Sequence, residues 1–229
     1  RYRPLDEALD ADIVTLHVPL TREGPDATLH MVNDRFLGRL RSGTILLNTS
    51  RGGVVDTAAL RRALQTGRLG GVVLDVWENE PLVDLALLRD VALATPHIAG
   101  YSYDGKRAGV ERVVQRLFAA FGMGQMAPRT DREQSEILPA FTGVAVDTPE
   151  AGLNADWQTL CRQMLAIYDI GRDDSAFRRA VIGAAEPGAA FEALRRNYPR
   201  RRESAHYRLP GGARNRIDCL QDTHRPGDS

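Results

Sequence analysis

Four short apolar runs in the first hundred residues constrain the fold of this chain more than any other feature. They cover Ile13–Val18, Thr44–Asn48, Val72–Val76 and Val91–Thr95. Near-continuous apolar character over a handful of residues is typical of strands that are buried on both faces of a parallel sheet. We therefore expect a parallel sheet in this part of the chain.

Helical segments separate these runs. Between the second and third runs, apolar residues recur at helical spacing within Asp56–Gly67, where an Asp can cap the start and a Gly can end the helix. A shorter helical segment, Asn33–Leu40, precedes the second run. A strand, a helix and a strand within about thirty residues form a βαβ unit. The pattern predicts an open α/β sheet over residues 1–100.

The pattern changes after residue 100. Asp104–Phe121 has the spacing of one long amphipathic helix, and Gly122 follows it as a stop signal. Its apolar stripe consists of Val110, Val113, Val114, Leu117, Phe118 and Phe121. We predict a connecting helix and linker over residues 101–134 and a smaller second domain over 135–229. Further helical segments lie near Asp156–Tyr168, Ser175–Ile182 and Ala189–Tyr198, and the composition after residue 203 becomes atypical.

Composition and charge argue against several classes of function. The 30 Lys and Arg residues balance the 30 Asp and Glu residues, so no global charge favours nucleic acid or an anionic membrane. No apolar run approaches the roughly 18 residues of a membrane helix. Cys161 and Cys219 lie far apart and outside any Cys/His cluster, so we expect no metal site, no disulfide scaffold and a cytoplasmic location.

A basic cluster near the C-terminus carries no aromatic residues at the spacing of a nucleic-acid site. It consists of Arg195, Arg196, Arg200, Arg201 and Arg202. We expect it to form a solvated, partly paired rim of an interface.

Polar residues stand at the ends of the predicted strands, where open α/β sheets bind their ligands. Arg51 follows the second run, Asp75 lies in the third, Glu80 follows it and His97 ends the fourth. A lone histidine at a strand end is more often structural, as His17 illustrates. An Arg, a Glu and a His at one sheet edge nevertheless form an anion clamp and an acid–base pair, which favours a catalytic interpretation.

One long stretch closely resembles the D-isomer-specific 2-hydroxyacid dehydrogenases: RSGTILLNTSRGGVVDTAALRRALQTGRLGGVVLDVWENEP, followed by TPHIAG. The resemblance implies that residues 1–100 are the second, C-terminal half of a Rossmann-type, doubly wound NAD-binding domain. It implies that His97 is the base, that Glu80 orients it, and that Arg51 binds the substrate carboxylate. It also implies that NAD contacts Val18, Thr49, Ser50, Arg51, Asp75 and Gly100.

Further motifs resemble one branch of this family that acts on a phosphorylated hydroxy acid. They are HIAGYS-x-x-GK, YDIGRDDSAFR and LRRNYPRRRE. This resemblance implies that Tyr101 and Arg51 contact the substrate and that residues 135–229 are a small α+β dimerisation domain of a homodimer. An ordinary, half-buried aromatic residue is the alternative for Tyr101.

Two alternative functions stay open from the sequence. The first is another D-2-hydroxyacid dehydrogenase, of the phosphoglycerate or hydroxypyruvate type, although Tyr101 and the C-terminal region argue against it. The second is a protein of the same superfamily that senses NAD(H) without turnover, which intact catalytic residues do not exclude.

The sequence lacks the G-x-G-x-x-G loop that cradles the pyrophosphate in this family, and it lacks the N-terminal part of the substrate domain. The resemblance therefore implies the C-terminal part of such an enzyme, with all three catalytic residues and half of the cofactor site. We expect these 229 residues by themselves to bind NAD weakly, and an inactive fragment is a further alternative.

Overall fold

A computed structural model describes residues 4–123, 138–139, 157–203 and 207–208 of the protein. These residues fall into two compact units: the first contains residues up to 99 together with 171–198, and the second contains the described residues of 100–170 and 199–229. The helices are α1 Leu5–Ala8, α2 Asp34–Arg39, α3 Thr57–Gln65, α4 Leu85–Asp90, α5 Tyr103–Ala120, α6 Trp157–Ile167, α7 Ile170–Val181 and α8 Pro187–Arg196. The strands are β1 Ile13–Leu16, β2 Ile45–Asn48, β3 Gly71–Leu74, β4 Leu93–Ala94, β5 Leu138–Pro139 and β6 Tyr207–Arg208.

A parallel sheet with the strand order β1-β2-β3-β4 lies at the centre of the first unit. Leu46 of β2 aligns with Val14 of β1 and with Val72 of β3. Leu46 and Val72 are both fully buried, as expected for central strands covered on both faces. The prediction of an α/β fold with a parallel, Rossmann-type sheet is confirmed.

Side-chain caps determine where the helices between the strands begin. Asp56 accepts a hydrogen bond from the backbone N–H of Ala59 in α3, and Asn33 accepts one from Phe36 in α2. Each cap satisfies a backbone donor that the first helical turn leaves without an intrahelical partner. Gly67, at φ +67°, follows the end of α3. Both helices therefore lie close to their predicted bounds.

Two elements of the first unit differ from expectation. The sheet as described ends at β1, where Ile13 is 59% exposed, so the first apolar run is not buried on both faces. The six-residue helix α4 is not among the elements predicted from the sequence. The side chain of Asp84 caps α4 and accepts hydrogen bonds from the backbone of Ala86 and Leu87.

Two C-terminal helices complete the core of the first unit. Phe177 and Val181 of α7 and Phe191 of α8 are fully buried in the same apolar cluster as the sheet residues. Residues 171–198 therefore pack with the sheet. The predicted domain boundaries at residues 100 and 135 stay predictions.

The second unit contains α5, whose bounds lie within one residue of the predicted helix Asp104–Phe121. Its role as a connector stays a prediction. Ser102 caps its start by accepting a hydrogen bond from Gly105, and Gly122 follows its end at φ +63°. Much of the predicted apolar stripe is open to solvent in the described structure. Four residues of the stripe are between 54% and 71% exposed: Val110, Val113, Leu117 and Phe121.

The expectation of a solvated basic rim is wrong for Arg202. This residue is only 4% exposed, and its guanidinium lies 2.9 Å from the Asp104 carboxylate. A buried guanidinium needs such a partner because desolvation of an unpaired charge is costly. The guanidinium of Arg201 lies over the ring of Tyr168, 4.3 Å from its centroid.

Within the residues that the structure describes, no helix is long and apolar enough to cross a bilayer.

Candidate active site

Three loops follow the strands at the carboxyl edge of the sheet. We name them by the residue type that the sequence singles out: the arginine loop (48–53), the glutamate loop (77–81) and the histidine loop (95–99). All three belong to the first compact unit. Because β2, β3 and β4 are parallel neighbours, their carboxyl ends bring these loops to one edge of the sheet.

Asn48 folds the arginine loop. Its buried side chain accepts hydrogen bonds from the backbone N–H and the hydroxyl of Ser50, at 3.1 and 2.9 Å, and donates to the carbonyl of Arg51 at 3.0 Å. The exposed guanidinium of Arg51 donates to the carbonyl of Ser50 at 2.7 Å. A guanidinium has five N–H donors, so it retains the capacity to bind an anion.

Glu80 and His97 form a hydrogen-bonded pair. Nδ1 of His97 lies 2.7 Å from Oε2 of Glu80, and Oε1 of Glu80 accepts a hydrogen bond from the backbone N–H of Trp77 at 2.8 Å. Both carboxylate oxygens therefore have a partner. The side chains are 31% and 21% exposed, so solvent reaches the pair. With Nδ1 donating to Glu80, Nε2 of His97 is the nitrogen that can accept a proton.

Asp75 holds the histidine loop in an unfavourable conformation. His97 has φ +57°, in the left-handed region that costs a non-glycine residue about 1–2 kcal/mol. One oxygen of the buried Asp75 carboxylate accepts from the hydroxyl of Thr95 at 2.6 Å and from Ile98 N–H at 2.7 Å. The other accepts from Ala99 N–H at 3.0 Å. These bonds on both sides of His97 offset the strain.

Trp77 joins the three loops. Its indole Nε1 donates to the carbonyl of Thr95 at 3.0 Å, while its backbone N–H donates to Glu80. Its carbonyl group packs against Gly52 so closely that a Cβ on Gly52 would overlap it. Gly52 is therefore a position where backbones approach closely and only glycine fits.

The glutamate loop contributes to a second histidine–carboxylate pair. Nε2 of His30 lies 2.6 Å from Glu78, whose other oxygen accepts from the N–H of Thr57 at the start of α3 at 3.0 Å. The backbone N–H of His30 donates to the carbonyl of Gly53 at 2.9 Å, so this pair links the arginine and glutamate loops. Burial raises the pKa of Glu78, but the hydrogen bonds from Thr57 and the pairing with His30 outweigh burial and hold that pKa below its usual range.

The remaining predicted cofactor and substrate residues differ in environment. In the first unit Val18 is half-buried against the core, Thr49 is exposed and Ser50 is buried. In the second unit Gly100 has no atom within 4 Å of its Cβ position, and Nζ of Lys106 lies 3.7 Å from the ring centroid of Tyr101.

The structure brings together some of the predicted residues. Glu80 and His97 are in contact, and Gly52 sets the arginine loop against the glutamate loop. Within residues 4–99, no hydrogen bond or ion pair joins Arg51 to Glu80 or His97. The predicted roles of these residues, and the predicted NAD contact of Asp75, stay predictions.

Sequence patterns alone do not single out Asn48, Trp77 or the His30–Glu78 pair. Asn48 has a local signal, since an Asn that precedes a Ser at a strand end favours a turn held by its side chain. Trp77 and His30 act through backbone groups of residues distant in sequence. The sequence carries no signal for such contacts.

Two family models match separate segments of the chain. Residues 1–99 match the family described as D-isomer specific 2-hydroxyacid dehydrogenase, NAD binding domain. This match covers all four strands of the parallel sheet in the first unit. Residues 143–223 match a domain of unknown function, DUF3410, which contains the helices α7 and α8.

Relatives with sequence similarity across most of the chain share one description. Proteins described as erythronate-4-phosphate dehydrogenase from Salinibacter ruber and Cellvibrio japonicus are 47% and 41% identical over 93% and 90% of this chain. These matches cover 54% and 53% of the two relatives, so the chain spans about half the length of the curated relatives it matches.

Solved structures with similarity to the chain include two other dehydrogenases or reductases. A glyoxylate reductase from Paecilomyes thermophila is 31% identical, with a TM-score of 0.48, over 58% of this chain and 40% of its own. A D-lactate dehydrogenase from Aquifex aeolicus, complexed with NAD and lactic acid, is 36% identical, with a TM-score of 0.45, over 54% of this chain and 41% of its own.

Replacement of Gly52 tests the close approach of the arginine and glutamate loops. Gly52→Ala should lower the free energy of unfolding by about 2 kcal/mol or more, because the added methyl overlaps the backbone of Trp77. Gly38→Ala is the matched control, since Gly38 lies within α2 with nothing within 4 Å of its Cβ position. The control should stabilise the protein by about 0.5–1 kcal/mol. Urea unfolding of both variants measures the difference, and equal effects would contradict the packing described.

Acid unfolding tests the environment of Glu78. Because its folded pKa lies below the ordinary 4.5, its contribution to stability is complete above that pH and is lost as the pH falls through the folded pKa. Glu78→Gln should therefore cost about 1 kcal/mol at pH 7, a low value for bonds to a charged group because solvent partly screens the pair.

This deficit should shrink towards zero as the pH falls below 4.5. Glu23→Gln, at an exposed loop position, should show no such pH-dependent difference from the parent protein. Urea unfolding of both variants at several pH values checks this, and a deficit for Glu78→Gln that is independent of pH would argue against a charged Glu78 in the folded protein.

Proposed function

We propose that the protein is an NAD-dependent dehydrogenase that oxidises 4-phospho-D-erythronate to (R)-3-hydroxy-2-oxo-4-phosphooxybutanoate, a step in pyridoxine 5'-phosphate biosynthesis. The observation that carries this proposal is the Glu80–His97 pair, 2.7 Å apart, at the sheet edge that also presents Arg51. The match of residues 1–99 to an NAD-binding dehydrogenase domain and the description of the relatives support it.

His97, Glu80 and Arg51 each have one role in the proposed reaction. Nε2 of His97 accepts the proton of the C2 hydroxyl as a hydride leaves C2, which converts the alcohol into a ketone. Glu80 holds the ring through Nδ1 and stabilises the positive charge that the proton brings. Arg51 binds the substrate carboxylate through two parallel N–H groups, a geometry that lysine does not offer.

NAD supplies the acceptor for the hydride when it is bound. The exposed side chain of Thr49 and the open space next to Gly100 suit a ligand in their respective units. Asp75 already accepts three hydrogen bonds from the protein, so a bond to the nicotinamide carboxamide would use its remaining acceptor capacity. The sequence contains no G-x-G-x-x-G run, so we assign no residue to the pyrophosphate.

The proposal also includes a cytoplasmic homodimer formed through residues 135–229, and a substrate contact by Tyr101. The cation of Lys106 beside the Tyr101 ring supports a phosphorylated substrate, because a phosphate needs positive charge nearby.

Substitutions of His97 and Arg51 test the mechanism. In the complete product of the gene, His97→Asn should lower kcat by about 10²–10⁴-fold, because the general base is lost. Arg51→Lys should act largely on the KM of the hydroxy acid, since a point charge replaces the two-pronged contact. Arg41→Lys is the matched control for Arg51, because Arg41 pairs with Asp12 on the surface. Formation of NADH, followed by absorbance, is the measurement.

A substrate panel tests the specificity. 4-Phospho-D-erythronate should give the highest kcat/KM among that compound, D-3-phosphoglycerate and D-glycerate. A higher value for one of the others would assign the protein to another hydroxyacid dehydrogenase.

Near-normal turnover by the His97→Asn variant would exclude the proposed mechanism.

A further inference from the structure

Residues 171–198 contact both segments that carry the Glu80–His97 pair. These residues lie within the match to a domain of unknown function, and they pack in the same compact unit as the sheet. We propose that they act as a positioning element for the Glu80–His97 pair, with Phe177 acting through Trp77 as the principal positioning residue. The proposal rests on the proposed function, in which this pair moves the substrate proton.

The first contact is between two aromatic rings. Phe177 of α7 lies with its ring centroid 5.6 Å from that of Trp77, at an interplanar angle of 60°. Phe191 of α8 in turn contacts Phe177, with ring centroids 5.7 Å apart. All three rings are buried, and tilted aromatic pairs at this separation are attractive beyond the area they bury. Phe177 therefore limits where the Trp77 ring can lie.

Trp77 transmits this restraint to both partners of the pair. Its indole Nε1 donates to the carbonyl of Thr95, two residues before His97, and its backbone N–H donates to Glu80. Interiors are close-packed, so a smaller side chain at residue 177 leaves space into which the indole can move. Such a movement lengthens the bond to Thr95 and loosens the loop that carries His97.

Two further contacts act on the same loops. A Cβ on Gly188 of α8 would lie 3.0 Å from the side chain of Leu82 and 3.5 Å from that of Pro81, directly after Glu80. The carboxylate of Asp174 in α7 accepts a hydrogen bond from the backbone of Ala94 at 2.7 Å, at the end of the strand that leads to His97.

Arg178 secures α7 in this place. It holds Asp174 through Nε at 2.9 Å and donates to the carbonyl groups of Leu88 and Val91. The helix α7 therefore restrains the Glu80–His97 pair in two ways. The Phe177 ring contacts Trp77, and the Asp174 carboxylate, held by Arg178, binds the backbone of Ala94.

A merely structural role for Phe177 predicts a different result from a positioning role. Loss of general stability raises the hydrogen-exchange rates of all deeply buried N–H groups by a similar factor. Loss of positioning raises the exchange rate of the Trp77 indole N–H more than the rates of the backbone amides in β2 and β3. The chain contains two tryptophans, so Trp157→Phe assigns the indole signal in an NMR spectrum.

The test compares Phe177→Leu with Phe191→Leu, a matched control that removes an equally buried ring one step farther from Trp77. In Phe177→Leu the indole exchange should rise about tenfold more than that of the sheet amides, as expected for the loss of one hydrogen bond. In Phe191→Leu the indole and the sheet amides should change by the same factor. Equal factors for indole and amides in both variants would overturn the proposal.

Phe177→Met, which keeps more of the buried volume, provides a second variant if Phe177→Leu does not fold. It also removes the ring contact with Trp77, so the exchange rate of the indole N–H should again rise more than the rates of the sheet amides. A rise by the same factor for the indole and the sheet amides would overturn the proposal. Absence of turnover in the unaltered protein would contradict the proposed function, and the indole exchange rates would then still decide the positioning role.

Discussion

The hydrogen bond from the Trp77 indole to the carbonyl of Thr95 joins two loops that the sheet alone would leave separate. Parallel strands bring their carboxyl ends to one edge at a spacing of about 5 Å, but they do not determine how the loops beyond them fold. Trp77 restrains these loops through three different groups. Its indole contacts the histidine loop, its backbone N–H donates to Glu80, and its carbonyl packs against Gly52. Because one residue makes all three contacts, the loops form one site.

Buried polar side chains at the strand ends complete this arrangement. Asn48 folds the loop that presents Arg51, and Asp75 folds the turn around His97. Hydrogen bonds in a poorly solvated interior are stronger than in water, so each fully satisfied side chain specifies one loop conformation. The left-handed backbone of His97 shows that this specification outweighs local preference. Arg51 and His97 thus depend on residues that need not touch a substrate.

Much of the fold and part of the site can be predicted from the sequence. The apolar runs predict the parallel sheet, and the Asp56 and Asn33 caps predict the helices, because both signals are local. The positions of Glu80 and His97 at neighbouring strand ends predict their proximity. The contact of Trp77 with Gly52, the His30–Glu78 pair and the packing of Phe177 on Trp77 arise from tertiary approach of distant segments. Sequence periodicity carries no information on such contacts. The exposed stripe of α5 shows the same limit, since a pattern predicts an apolar face but not what covers it.

The tautomer of His97 tests the central claim most directly, namely that Glu80 holds Nδ1 and leaves Nε2 to accept the substrate proton. The ring ¹⁵N chemical shifts of the neutral imidazole distinguish a protonated from an unprotonated nitrogen, and substitution of the other histidines assigns the signals. The structure predicts that neutral His97 carries its proton on Nδ1, which donates to Glu80 across 2.7 Å. A neutral His97 with its proton on Nε2 would contradict the account, because no lone pair would then face the substrate.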